Sequence, residues 1–255
     1  MDTLISMVSV AFEGSKYEVL DEYYTKNIID KSVTSLSPGN GRANDYVVAY
    51  QTFNKEMYVS LLLPKENKNK LLILVGYGKY GKEWKINFIQ FGPYSIFGKT
   101  APEYYHMAQE SYTKSNLIDA VDYMIIAKNS LKPGNDYFQY KNEKEILAFY
   151  DAVMKEANAT YKLPMELDKV ASKPKIININ PEITKEGCFP MIYYITGVSF
   201  KDTVALKAEN EAVKKEVKRI FKGIDQDKAY ILYKALNTMP DGRKQVEHYG
   251  FVEKL

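Results

Sequence analysis

The amino-acid sequence predicts an α+β chain whose strands and helices are segregated along its length, and three observations point to that class. Four strand-like runs between Tyr46 and Phe91 are joined by connections too short to hold a crossover helix. A helical hairpin and a third helix with a single apolar stripe then follow between Pro102 and Asn158. From Lys175 onward the pattern reads strand, strand, helix, strand, strand, which can close as a two-layer unit. The predicted order is therefore N-terminal helices plus an antiparallel meander, a central helical hairpin with a third helix, and a C-terminal two-layer unit. The corresponding domains are 1–100, a helical spacer 101–163, and 172–255.

Element by element, residues 3–29 read as helix with a break at Gly14-Ser15, because Tyr17, Leu20, Tyr24 and Ile28 share helical spacing. Residues 32–44 collect Ser, Pro, Gly and Asn in a loop. Strands are expected at 46–53, 57–63, 71–77 and 83–91, each rich in β-branched, aromatic or aliphatic residues. The hairpin takes 102–113 and 116–130 and is stopped by Pro133-Gly134. The third helix, 142–158, carries Ile146, Phe149, Tyr150, Val153, Met154 and Ala157 on one stripe, read as core-facing. Strands at 175–180 and 191–200 precede a helix over 202–222 with Leu206, Val213, Val217 and Ile220 inward and Gly223 placed to end it. Strands at 229–237 and 249–253 close the chain.

Composition narrows the function classes. Of 255 residues, 45% are hydrophobic and 26% charged, which excludes a disordered or low-complexity chain. The 22 tyrosines suit half-buried strands, helix seams and pocket walls, and equally a compositional bias of the genome. The 35 basic and 32 acidic residues are interleaved, giving +3, so no nucleic-acid partner is predicted. The densest basic group, Lys214, Lys215, Lys218, Arg219 and Lys222, is interrupted by Glu209, Glu211 and Glu216 and reads as a solvated helix face. Cys188 is the only cysteine, so no intrachain disulfide forms. With only His106 and His248 beside it, a zinc site would need carboxylates to complete it; neither metal nor cofactor is predicted. No stretch reaches the ~20 apolar residues of a membrane span. Residues 4–12 are apolar but follow Asp2 where a secretory signal carries Lys or Arg. The chain as written reads as cytoplasmic, and as exported or lipid-anchored if a leader has been removed.

Two motifs invite chemistry and both read as structural. Gly76-Tyr77-Gly78-Lys79-Tyr80-Gly81 has dinucleotide-loop spacing, but a dinucleotide loop must open a helix. Here Trp84, Ile86 and Phe88 alternate with Lys85 and Asn87, so a strand follows and the glycines belong to a hairpin turn. Cys188 sits in the turn Glu186-Gly187-Cys188-Phe189-Pro190, and a nucleophilic thiol needs a base or cation beside it. No catalytic residue is assigned.

Two resemblances follow from these patterns. The order helix, polar loop and curved meander from Ala11 to Phe91, with Ala11-Phe12, Gly14, Tyr17, Leu20 and Tyr24 at its start and Gly81-Lys82-Glu83-Trp84-Lys85-Ile86 at its end, resembles the nuclear transport factor 2-like, cone-shaped fold. That resemblance implies a pocket at the mouth of a cone, used for binding or for lyase or isomerase chemistry. Tyr104, Met107 and Ala108, then Ala120, Met124, Ala127 and Pro133, are similar to one tetratricopeptide repeat, with Ser115-Asn116 in place of its glycine turn.

The functional expectation is a noncatalytic binding or scaffold protein that presents a pocket or surface to a small molecule or a protein partner. Tyr50, Phe53, Tyr58, Trp84 and Phe88 are the candidate ligand-binding residues. The alternative is a small-molecule lyase or isomerase of the cone-fold type, with a buried carboxylate such as Asp45, Glu56 or Glu83 as its base.

Overall fold

Strand pairing organises most of the chain. The computed structural model describes residues 16–28, 31–39, 41, 44–243 and 245–255. It divides into two compact units, one drawn from Met1–Glu103 and Ala127–Lys144, the other from Tyr104–Ile126 and Glu145–Leu255.

In the first unit, β1 (Tyr17–Lys26), β4 (Glu56–Pro64), β5 (Leu71–Tyr80) and β6 (Glu83–Pro93) form an antiparallel sheet in the order β1-β4-β5-β6. A second antiparallel sheet runs β2-β3-β7, from β2 (Val33–Leu36), β3 (Tyr46–Gln51) and β7 (Phe138–Tyr140). The period-two pattern puts Met57, Val59 and Leu61 on one face, opposite Gly78, Gly76 and Leu74. All four of the apolar side chains are fully buried, as are Val48, Phe138 and Tyr140. Side-chain bonds tie the two sheets: the Tyr46 hydroxyl donates to Asp21, and the Tyr50 hydroxyl lies 3.0 Å from Thr25 Oγ1.

Strand β1 corrects the expectation of N-terminal helices. Residues 17–26 pair with β4, and the remainder of the predicted helix, 3–15 with Ala11, Phe12 and Gly14 together with residue 29, lies outside the described residues. The helical spacing misleads because the register shifts between Val19 and Asp21. One extra residue there breaks the strand alternation and turns a period of two into an apparent helical period. Beyond the bulge the alternation is plain. Asp21 and Thr25 face β3, while Glu22 and Tyr24 bond to Tyr58 and Glu56 on β4. Strand β2 likewise falls inside the predicted loop.

The cone expectation also fails, because none of the three sheets closes on itself. What resembled a cone is an open four-stranded sheet with a smaller sheet bonded to it.

Each glycine of the Gly76-to-Gly81 motif has its own structural reason. A Cβ on Gly76 would sit 2.2 Å from the Phe88 ring. One on Gly78 would sit 2.0 Å from Asn54 Oδ1, which accepts a 2.7 Å bond from Asn87 Nδ2. Gly81 has φ +63° and turns β5 into β6.

In the second unit, parts of α1 (Ala101–Thr113), α2 (Leu117–Asn129) and α3 (Glu143–Thr160) accompany a five-stranded sheet. That sheet contains β8 (Met165–Glu166), β9 (Lys175–Ile183), β10 (Cys188–Ile195), β11 (Tyr230–Leu236) and β12 (His248–Lys254), in the order β12-β11-β10-β9-β8. Strands β10 and β11 are parallel, which requires the crossover supplied by α4 (Thr203–Ile220). Helix α4 starts because Asp202 Oδ1 accepts from the Ala205 N–H at 3.0 Å. It buries Leu206, Val213 and Val217 against Ile176, Ile192, Tyr194, Ile231 and Tyr233. Three of its basic side chains are paired: Lys214 with Glu211, Arg219 with Glu216, and Lys218 with Glu253.

The helical hairpin is not built as a tetratricopeptide repeat. Instead of stacking on a second hairpin, Leu117, Ala120 and Val121 of α2 pack against Val153 of α3, and Ile118 joins the core of the sheet. Ala120 is small because α3 lies against it, which mimics the repeat's small-residue pattern. Among the described residues no helix is long and apolar enough to cross a membrane.

One substitution tests the packing of the glycine motif. Gly76→Ala is expected to destabilise the first unit by about 1–3 kcal/mol through overpacking. Adding Phe88→Leu should recover part of that loss, read as the departure from additivity in a denaturant-melt double-mutant cycle. Strict additivity would mean that the Phe88 ring is not the group the new methyl meets.

Candidate functional site

The five residues proposed as a pocket lining are distributed over two sides of the β1-β4-β5-β6 sheet. Tyr50 and Phe88 are buried together, ring centroids 5.8 Å apart, and Phe88 stacks on Tyr137 at 4.7 Å. Tyr58 and Trp84 lie on the opposite face, where Tyr58 donates to Glu22 and Trp84 meets Tyr24 edge-on at 6.4 Å. Phe53 is half-exposed beyond the end of β3. The carboxylates considered as bases there are engaged. Asp45 pairs with Lys141 at 3.1 Å, Glu56 with Lys79 at 2.9 Å, and the exposed Glu83 with Lys85 at 3.3 Å.

A different constellation forms within the second unit. Helix α2 carries Asp119 and Asp122 three residues apart, which places both carboxyls on one side of the helix together with Tyr123 and Ile126. The other sides of the helix are taken by its packing on α3 and on the sheet. Facing these acids are the turn Glu186 to Pro190 at the start of β10 and the segment Asp227 to Ala229 that leads into β11. Thr184 shapes the turn: its hydroxyl accepts from the Glu186 and Gly187 N–H groups at 3.2 and 3.3 Å. Together these three segments enclose a cavity of about 270 Å³.

The electrostatics of this cavity are uneven. Lys228 Nζ lies 2.5 Å from Asp119 Oδ1, and both side chains are only 10% exposed. Asp122 is 6% exposed, and its Oδ1 has no hydrogen-bond partner among the described residues. Burial, reinforced by the Asp119 charge and opposed by Lys228, holds the Asp122 carboxyl well above the usual carboxylate range. The Asp119 carboxyl is raised as well: its burial outweighs the adjacent Lys228 ammonium, and Asp227 and Asp225 add to the effect. Tyr123 is pushed up to about 12 by burial and by the two aspartates. Burial, then Asp122 and Glu182, push the Cys188 thiol up to about 12. The cavity therefore offers a proton-holding acid, an ion pair, a phenol and an unreactive thiol.

Cys188 is the one residue of this site that the sequence singles out, and its surroundings are those of a protonated thiol. His106 is 3.3 Å from Glu110 on an exposed helix face, and His248 is exposed on β12. Among the described residues no group of three or more His, Cys, Asp or Glu side chains is placed to hold a metal ion. Asp119, Asp122 and Lys228 were not legible as a site. The available signal was two acids three apart inside the apolar run Leu117 to Ile126; nothing local marks Lys228.

No family model, curated protein or solved structure matches the chain. The nuclear transport factor 2-like and tetratricopeptide resemblances therefore rest on local pattern alone, which the sheet topology and helix packing explain otherwise.

Two measurements follow from these environments. Alkylation of Cys188 by iodoacetamide at pH 8 is expected to run at least ~100-fold slower than that of a free cysteine, because only the thiolate reacts. A rate within tenfold of the free thiol would contradict a value near 12. For Asp122, the folded value lies above the unfolded one of about 3.9, so the folded chain holds the extra proton. Stability from this group is complete below pH ~4 and is lost as pH rises toward the folded value. Asp122→Asn has no proton to lose, so its advantage over the parent in thermal melts should grow from pH 4 to pH 8, reaching about 1–3 kcal/mol. An advantage that shrinks over that range would mean that Asp122 is ionised and satisfied.

Proposed function

We propose that the chain is a noncatalytic small-ligand-binding protein whose site is the cavity between α2, the Glu186 to Pro190 turn and Lys228. One observation supports this reading: Asp122, a buried side chain that lines the cavity, has a carboxyl oxygen, Oδ1, with no partner among the described residues. Buried polar groups are nearly always bonded, and an exception calls for a bonding partner from outside the chain. The apolar contributions of Ile126, Phe189 and Pro190 suit the remainder of a small organic molecule. Binding is favoured over covalent chemistry because the thiol at the site is held protonated and Asp119 is occupied by Lys228.

A second reading has one observation in its favour. A carboxyl held well above the usual carboxylate range is what a general acid requires, and Asp119 beside it could take the complementary role in lyase or isomerase chemistry.

The test is a panel of small amines, alcohols, carboxylates, phosphates and sugars titrated into the isotope-labelled chain. Ligands should shift the amide signals of Asp122, Gly187, Cys188 and Ala229. Ala229→Phe, at an exposed position on the cavity wall, should weaken them at least tenfold. Shifts confined to the first unit would overturn the assignment. Turnover of a bound compound that is lost in Asp122→Asn would favour the second reading.

A further inference from the structure

We propose that the cavity of the second unit takes a small primary amine, bound as its ammonium ion against Asp122 and Asp119. This rests on the reading of that cavity as a ligand site and adds the chemical class of the ligand. The balance of charge is the first argument. Asp119, Asp122, Glu186 and Asp227 contribute four carboxyls to the wall and Lys228 the one ammonium group. Lys228 is committed to Asp119. A carboxylate or phosphate ligand would find no uncommitted cation and would face several acids at close range.

The second argument is the vacancy in bonding. Asp122 lines the cavity and its Oδ1 has no donor among the described residues; an ionised carboxylate is an acceptor only. An ammonium group carries three donors, enough to bond the Asp122 carboxyl and leave others for Asp119. The groups that face Asp122 are Asp119 and Tyr123 on its own helix, Glu186 and Cys188 on the turn, and Asp227 and Lys228 before β11. None of these except Lys228 can present a positive charge. The third argument is the apolar part of the wall. The rings of Tyr123 and Phe189 and the side chains of Ile126 and Pro190 form an apolar side for the carbon skeleton of an amine. A volume of about 270 Å³ falls below the range for drug-sized ligands, so the amine is a small one.

Proton balance provides a signature. Burial raises the Asp122 carboxyl well above the usual carboxylate range; wherever it still holds its proton in the empty site, entry of the ammonium ion sends that proton to solvent and the carboxylate pairs with the ligand. Below the folded value of Asp122, each bound amine releases one proton, and the affinity falls as pH falls.

The experiment compares three probe pairs by calorimetry and amide-shift mapping at pH 7: butylamine with 2-phenylethylamine, butanol with 2-phenylethanol, and butyrate with phenylacetate. The amines are expected to bind at least tenfold more tightly than the matched alcohols, with the carboxylates weaker still. Their heats should depend on buffer ionisation in the sense of proton release. Asp122→Asn should weaken the amines at least tenfold and the alcohols by less. Alcohols or carboxylates that bind the same amides as tightly as the amines would overturn the ammonium assignment and leave the ligand site standing. If no probe of any class moves these amides, the ligand-site reading falls with it. Because the wild-type chain alone ranks the three classes, the result does not depend on how well the variant folds.

Discussion

The second unit has to accommodate two aspartates on a helix that is buried on its other sides. Asp119 and Asp122 cannot both keep an unscreened charge within a few ångströms of each other in a low-dielectric setting. Lys228 resolves the conflict for Asp119 alone. A buried pair of this kind contributes little net stability over an apolar alternative, but removing one partner would leave a bare charge. The fold must therefore deliver Lys228 to the helix, and the loop after α4 does so. Gly223, at φ +81°, lies so close to Asn116 that an added Cβ would fall 2.0 Å from Asn116 Oδ1. Asn116 also donates to Gln226 at 3.3 Å, and its carbonyl accepts the Ala120 N–H at 3.1 Å. The start of α2 and the loop that carries Lys228 are thus fastened to each other, and Asp122 is left as the acid without a counter-ion.

The first unit handles its acids differently, and the tyrosines are the means. Tyr24 bonds to Glu56, Tyr46 to Asp21 and Tyr58 to Glu22, each across neighbouring strands or between the two sheets. A phenol donates to a carboxylate without adding charge and fills the sheet surface with its ring. The hydrogen bond to Glu22 is also the largest influence holding the Tyr58 proton on, as the bond to Glu56 is for Tyr24. In the second unit Tyr233 does the same with Glu253 at 2.8 Å. The tyrosine excess is in part a supply of neutral donors for strand-borne acids.

How much of this was legible depends on whether a signal was local. Strands β4, β5 and β6 were readable because their alternation is uninterrupted over most of their length and their connections are short. Strand β1 was not, because its bulge imitates a helical period, and β2 was hidden in a run of turn residues. The parallel pairing of β10 with β11 follows from a helix between them, although which strands become neighbours is a tertiary outcome. The aromatic residues chosen as a pocket were recognisable as strand residues, but the face each one takes depends on register. A bulge between Gly76 and Tyr77 helps to place Phe88 and Trp84 on opposite sides. The acidic site was the least accessible. It joins residue 122 to 188 and 228, and no spacing in the chain predicts that meeting.

The same features decide what kind of site the cavity is. At its wall the thiol and the phenol are held protonated and one carboxylate is locked in an ion pair. Beside them the Asp122 carboxyl has an oxygen without a partner among the described residues, and burial disfavours its ionisation. Such a group couples occupancy to protonation. An ammonium ligand relieves the desolvation that holds the proton on Asp122, and the proton in turn competes with the ligand for the same oxygen. On the proposed reading, the cost of burying an unpaired acid favours a cation over a neutral or anionic molecule of the same shape.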